Sequence, residues 1–183
     1  MAPSTATPPT FARAVEELRA VTTRPEITLE EVPAPQRLAP YSYAIGGTVL
    51  RHGDEVATGR LILLHDPAGH EAWDGTSRLV TYVTAELEAE LATDPLLPAV
   101  GWSWLVDALD GHRAAYTAIG GTVTQTMSTR FGDLAGPPAA ADLEIRASWT
   151  PTDDDMQAHV HAWCALLAST AGLPPPGVTA LHA

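Results

Sequence analysis

The chain contains no lysine and no asparagine, one cysteine and only two phenylalanines in 183 residues. A lone Cys164 excludes an intramolecular disulfide and any zinc centre built on several thiolates. All ten cations are arginine, set against 22 Asp and Glu, for a formal charge of −12. Such a surface repels phosphate backbones and anionic headgroups, so neither nucleic-acid binding nor membrane adhesion is expected. No apolar run approaches the ~18 residues of a membrane span, and the first ten residues lack the basic and apolar segments of a secretory leader. The expectation is a soluble, cytoplasmic protein. Charged residues are scarce, at 17% against roughly 25% in ordinary soluble domains. With 45% hydrophobic residues, the chain is not a disordered one.

What is present points to one packed domain. Ala, Gly, Pro and Arg are abundant, as a GC-rich gene would give. Five Trp against four Tyr and two Phe are different, because each Trp buries a large area and needs a partner for its N–H. Residues 1–9 read as a small, polar, Pro-rich tail, and 173–183 as a second Pro-rich tail. Between them, 10–172 reads as a single α+β domain.

A helix is expected from about Thr10 to Thr22, with Phe11, Val15 and Leu18 inward. A short strand covers Ile27–Leu29. Longer strands follow at Tyr41–Leu50, Glu55–Leu64 and Leu79–Leu87, the second apolar on both faces and so central. Asp66-Pro67-Ala68-Gly69 carries the signal of a type I turn. Asp94-Pro95 predicts the start of a second helix, with Leu97, Val100, Trp104 and Ala108 inward and Gly111 as its stop. Gly121–Thr129 has the weak pattern of an edge strand, whereas Asp142–Trp149 alternates cleanly. Thr152 is expected to cap a last helix with Asp153, Asp154 and Asp155 in its first turn. Met156, Val160, Trp163, Cys164, Leu167 and Ala171 form its core stripe, and Gly172 ends it. The order α-β-β-β-α-β-β-α implies an antiparallel sheet of about five strands with helices packed on it.

The densest group of chemically active residues is His65, Asp66, His70, Glu71, Trp73 and Asp74. Two imidazoles and three carboxylates within ten residues suit a divalent metal or an acid/base site, and functional residues favour loops on rigid strands. Their spacing matches no metal motif. The same residues equally make a structured turn, with Asp66 bonding its own backbone, His70 bracing and Trp73 anchoring it, or a partner-binding loop. His159 and His161, two apart on a helix, point about 200° apart and are expected to flank the core rather than chelate one ion. Trp102 lies about 200° from Trp104 and is either an exposed binding anchor or covered by a loop. No Gly-x-Ser-x-Gly elbow is present, and the Gly46-Gly47 and Gly120-Gly121 pairs lack the context of a phosphate loop. Cys164 reads as packing.

Several blocks together resemble a known family: Pro35-Gln36-Arg37-Leu38-Ala39-Pro40-Tyr41, Gly59-Arg60-Leu61 through Gly69-His70, and Asp94-Pro95-Leu96-Leu97-Pro98. Gly101-Trp102-Ser103-Trp104-Leu105 and Glu144-Ile145-Arg146-Ala147-Ser148-Trp149-Thr150-Pro151 complete the set. The resemblance is to the actinobacterial family of domain of unknown function 3000, over about residues 10–176. It implies a bacterial cytosolic protein and carries no activity or catalytic residue with it. The element order is also similar to the secretion-chaperone-like fold, an analogy implying acidic, often homodimeric proteins that bind polypeptides.

The expectation is therefore a non-enzymatic protein-binding or regulatory module, with no cofactor and no metal. Self-association as a homodimer or a protein partner is expected, with His65, Asp66, His70, Glu71, Trp73 and Trp102 as candidate binding residues. The alternative is a small metal-dependent or acid/base enzyme using the His65-Asp66 to His70-Glu71 segment.

Overall fold

The computed structural model describes residues 6–88, 90–136 and 140–178; the outer parts of both expected tails, 1–5 and 179–183, lie outside them. The chain forms an α+β domain of three helices and one antiparallel sheet of six strands. In chain order these are α1 (Pro9–Arg19), β1 (Ile27–Glu31), β2 (Tyr41–Arg51), β3 (Asp54–His70) and β4 (Gly75–Glu86). α2 (Leu97–Gly111), β5 (Tyr116–Ser128), β6 (Ala140–Pro151) and α3 (Met156–Thr170) follow. The spatial order is β1-β2-β3-β4-β6-β5. The short Ile27 strand pairs along its whole length with β2, so it adds a sixth strand to the expected sheet.

The alternation in each strand decides the layering. Leu143, Ile145, Ala147 and Trp149 of β6 are buried together with Leu61, Leu63, Leu79 and Val83 of β3 and β4. These side chains share one face, and the helices cover it. α3 lies across the middle of that face and is buried on nearly every side. Its seat is a pit where Gly47 of β2 pairs with Gly59 of β3; the Trp163 ring and Leu167 fill the space a Cβ would take at either position. The Trp163 indole N–H donates to Thr81 Oγ1 at 2.8 Å, and that hydroxyl donates to the Arg60 carbonyl at 2.9 Å. Among the described residues no helix lies on the opposite face, which is mostly polar over β4, β6 and β5 but buries Ala44 and Leu64 on β2 and β3; an antiparallel sheet allows such a face.

Four expectations need correcting. Asp66–Gly69 does not reverse the chain. Asp66 Oδ1 accepts the Ala68 N–H within an irregular stretch of β3, and the reversal comes at a 3₁₀ turn, Glu71–Trp73, closed by Asp74 in the left-handed region (φ 55°). α2 buries Leu97, Gly101, Leu105 and Leu109, not the stripe through Val100 and Trp104. The absent side chain at Gly101 lets the helix approach Val123 and Ile145 of the sheet. The buried face is rotated by roughly 75° about the helix axis from that predicted, leaving Trp104 and Ala108 at its margin, partly buried against the core. Asp94 lies ahead of the helix, its carboxylate accepting the Leu96 N–H. At α3 the cap is Asp155, which accepts the Ala158 N–H at 3.1 Å, rather than Thr152. Asp153 and Asp154 precede the helix.

Candidate functional site

The β3–β4 end does not bring its titratable residues to one point. His65, on the core face, is buried; its Nδ1 lies 2.9 Å from Ser77 Oγ, and its ring stacks on Phe11. Burial pushes its pKa down, against a smaller opposing pull from Asp66. His70 is exposed, accepts the Ala72 N–H on Nδ1 at 3.2 Å and stacks on Trp73 with ring centroids 4.8 Å apart. Glu71 and Asp74 face solvent. The Trp73 carbonyl accepts the Thr150 hydroxyl, and Arg78 donates to Thr150 Oγ1, Ser148 Oγ and the Ala118 carbonyl. Among the described residues no three His, Cys, Asp or Glu side chains gather as ligands for one ion.

His65 does line a cleft of about 230 Å³ with Ser77 of β4, Arg13 of α1, and Thr152, Asp153 and Asp154 ahead of α3. Beneath it, the Trp149 N–H donates to His159 Nδ1 at 3.1 Å. That bond fixes the imidazole proton on Nε2, which among the described residues has no hydrogen-bond partner; Asp153 Oδ1 is 4.0 Å away. Contrary to expectation, His159 is fully buried rather than flanking the core, and burial holds it neutral.

A second pocket, of about 380 Å³, was not foreseen. Packing of α2 on α3 brings His112 over His161, ring centroids 6.1 Å apart, at the mouth of a mostly apolar hollow lined by Ile27, Cys164, Ala168 and Leu173. Residues 49 apart in sequence carry no local signal of this. Arg24 at the rim is occupied: both its ends meet Glu26, and it donates to the Pro174 carbonyl. Burial raises the Cys164 thiol to about 11.

The third feature is the free edge of β5. The Leu87 N–H donates to the Ala141 carbonyl, so odd-numbered residues of β6 aim their backbone groups at β4 and even-numbered ones at β5. In the register from Gly120↔Ser148 to Ser128↔Ala140, even residues of β5 therefore pair inward. The N–H and C=O groups of Gly121, Val123, Gln125 and Met127 point away from the sheet and have no partner among the described residues. β5 is 13 residues long with no charge and no proline. At the opposite edge β1 has five residues, of which Glu30 and Glu31 are charged. Trp102 is half-buried, its ring 2.9 Å from where a Cβ on Gly121 would fall, a position that the Arg146 carbonyl and Ala147 Cα of β6 crowd more closely still. Apolar side chains rim the far end of β5: Met127, Phe131 and Leu134 are 52%, 79% and 76% exposed. The Gln125 amide bonds the Leu91 and Ala92 carbonyls, bringing exposed Leu91 alongside.

These features define a one-layer antiparallel sheet, covered by helices on one face, with one edge shielded and one open. The chain belongs to the family described as "Protein of unknown function (DUF3000)", whose model matches residues 7–179. Nothing among the curated proteins or the solved structures matches it. Among the described residues no helix is long and apolar enough to cross a membrane.

Proposed function

We propose that the protein is a binding module that takes up an extended polypeptide segment by strand addition along β5. The observation that supports this reading is the unpaired, uncharged edge from Gly121 to Met127. Sheet edges in soluble proteins are ordinarily shortened, charged, bulged or interrupted by proline to prevent such pairing. β1 follows that rule and β5 over this stretch does not. Unpaired backbone groups specify the conformation of the occupant, and the apolar rim gives its side chains something to bury against.

Amide hydrogen exchange on the full chain tests this. At high dilution the four outward N–H groups exchange as fast as loop amides, while those of Thr122, Thr124 and Thr126 are protected by β6. An excess of an alternating Thr–Val peptide of about nine residues slows the outward set selectively. Outward amides that stay fast with this peptide, with no other strand engaging them, overturn the reading.

A further inference from the structure

We infer that the strand received at β5 is β5 of a second copy of this chain, paired antiparallel about a two-fold axis at Thr124. This rests on the strand-addition reading and names its occupant. Three observations select the self-pair and its register.

The first is charge. Two copies each carrying −12 repel over most of their surfaces, and the stretch Gly120–Ser128 of β5, which overlaps its counterpart about Thr124, offers a contact with no charge on either side. The second is hydrogen-bond phase. The outward residues are Gly121, Val123, Gln125 and Met127, and an axis at Thr124 sets Gly121 against Met127 and Val123 against Gln125 of the second copy. Both are pairs of outward residues, so each exchanges two backbone hydrogen bonds, while Thr124 meets its own counterpart at a non-hydrogen-bonded position. A shift by one whole residue keeps this phase, and the side chains that then meet decide between such registers; an axis between two residues would oppose outward groups to inward ones and lose the ladder.

The third is on the open face of the sheet. The registers place Thr28, Thr48, Thr58, Thr84, Glu144 and Thr124 in one row across all six strands, with Thr58 and Thr84 hydroxyls 3.1 Å apart. Cross-strand Thr–Thr pairs are favourable. The proposed axis adds Thr124 opposite Thr124, and Thr122 opposite Thr126, so the row runs on into the second sheet. The two Glu144 carboxylates then stand three strands apart, about 14 Å, beyond strong repulsion. On the helical face, Met127 of the second copy comes beside Gly121, where the Trp102 ring already lies. This gives the half-exposed indole its partner.

Sedimentation of the full chain from about 1 to 200 µM, with three variants, is the test. The wild type sediments as a concentration-dependent dimer. Thr124→Lys, which opposes two ammonium groups at the axis, raises the dissociation constant about fivefold or more. Thr124→Cys becomes a covalent dimer on mild oxidation, because non-hydrogen-bonded Cα atoms about 4.5 Å apart suit a disulfide; Thr28→Cys, in the same row at the far edge, does not. The positions substituted are exposed, so melting of the dilute monomers stays within about 2 °C and reports intact folding. A chain that remains monomeric throughout, or a dimer indifferent to Thr124→Lys and not linked by Thr124→Cys, overturns the inference. If the chain is monomeric while the Thr–Val peptide protects the outward amides, self-pairing fails and strand addition stands. If neither occurs, both fail.

Discussion

Adding one methyl group at Gly47 or Gly59 probes how α3 is held. At Gly47 the new carbon would lie 2.7 Å from Leu167 Cδ1 and 2.9 Å from Trp163 Cη2. At Gly59 it would lie 2.8 Å from Leu167 Cδ2 and 3.0 Å from Trp163 Cζ2. Unstrained carbon contacts fall at about 3.5–4.0 Å, so the helix must lift or its side chains leave their rotamers. Overpacking of this kind costs about 1–3 kcal/mol. Replacing glycine by alanine returns about 0.5–1 kcal/mol through the unfolded state. The expected net loss is about 1–2 kcal/mol for either Gly47→Ala or Gly59→Ala. At about 2–4 °C per kcal/mol for a chain of this length, Tm falls by about 2–8 °C, measurable by urea and thermal unfolding followed through tryptophan signals. Leu167→Ala alone removes buried volume at about 2–5 kcal/mol. Combined with Gly47→Ala it costs at least about 1 kcal/mol less than the sum of the two changes, because the methyl enters the vacated space. A stabilising Gly47→Ala, or strict additivity of the pair, refutes the idea that these glycines exist to seat the helix.

Three further outcomes are expected. Thr81→Val keeps the shape but strands the Trp163 N–H at about 1–3 kcal/mol, lowering Tm, whereas Thr81→Ser retains most of the stability. His159 is held neutral by burial, below its ordinary 6.5. The unfolded chain thus takes up the proton first, and stability falls as pH drops below about 6.5, by up to about 1.4 kcal/mol per pH unit for this group. His159→Phe is less stable at neutral pH, because Trp149 loses its acceptor, but shows a shallower acid limb in urea titrations from pH 7.5 to 5; an unchanged limb refutes the assignment. Cys164, buried and with its thiol raised to about 11, is expected to resist a disulfide reagent at pH 8 and to react at once in denaturant.

Much of the architecture was legible where burial is one-sided. β6 alternates because one face meets α2 and α3 and the other is largely open to water, so its buried set could be read residue by residue. The stripe of α3 was legible from its apolar periodicity, although burial continues around the helix to His159, which no periodicity reveals. α2 misled because a glycine carries no hydrophobic signal, yet Gly101 is the point of closest approach. Gly46-Gly47 was set aside as an isolated pair, and Gly47 proves to be half of the pit under Trp163, its other half, Gly59, coming from a different strand. Of the candidate residues, His70 and Trp73 were expected to brace and anchor a turn, and they stack in one, displaced by a few residues. The meeting of His112 with His161 needs the packing of two helices and was out of reach. The edge character of β5 was visible in its weak, Thr-rich pattern, but which backbone groups it leaves open follows only from the register with β6.

The placement of α3 also orders events in time. β1 through β4 form a meander joined by short connections, so these strands can pair as soon as they are made. The helix that fills the Gly47–Gly59 pit begins only at Met156. At a synthesis rate of about 5–20 residues per second, the apolar side of the young sheet waits on the order of ten seconds for its cover. A chain stalled or cut before Met156 would keep its strands and show that surface to its neighbours. The burial of that apolar surface is thus decided by α3, made long after the strands it covers.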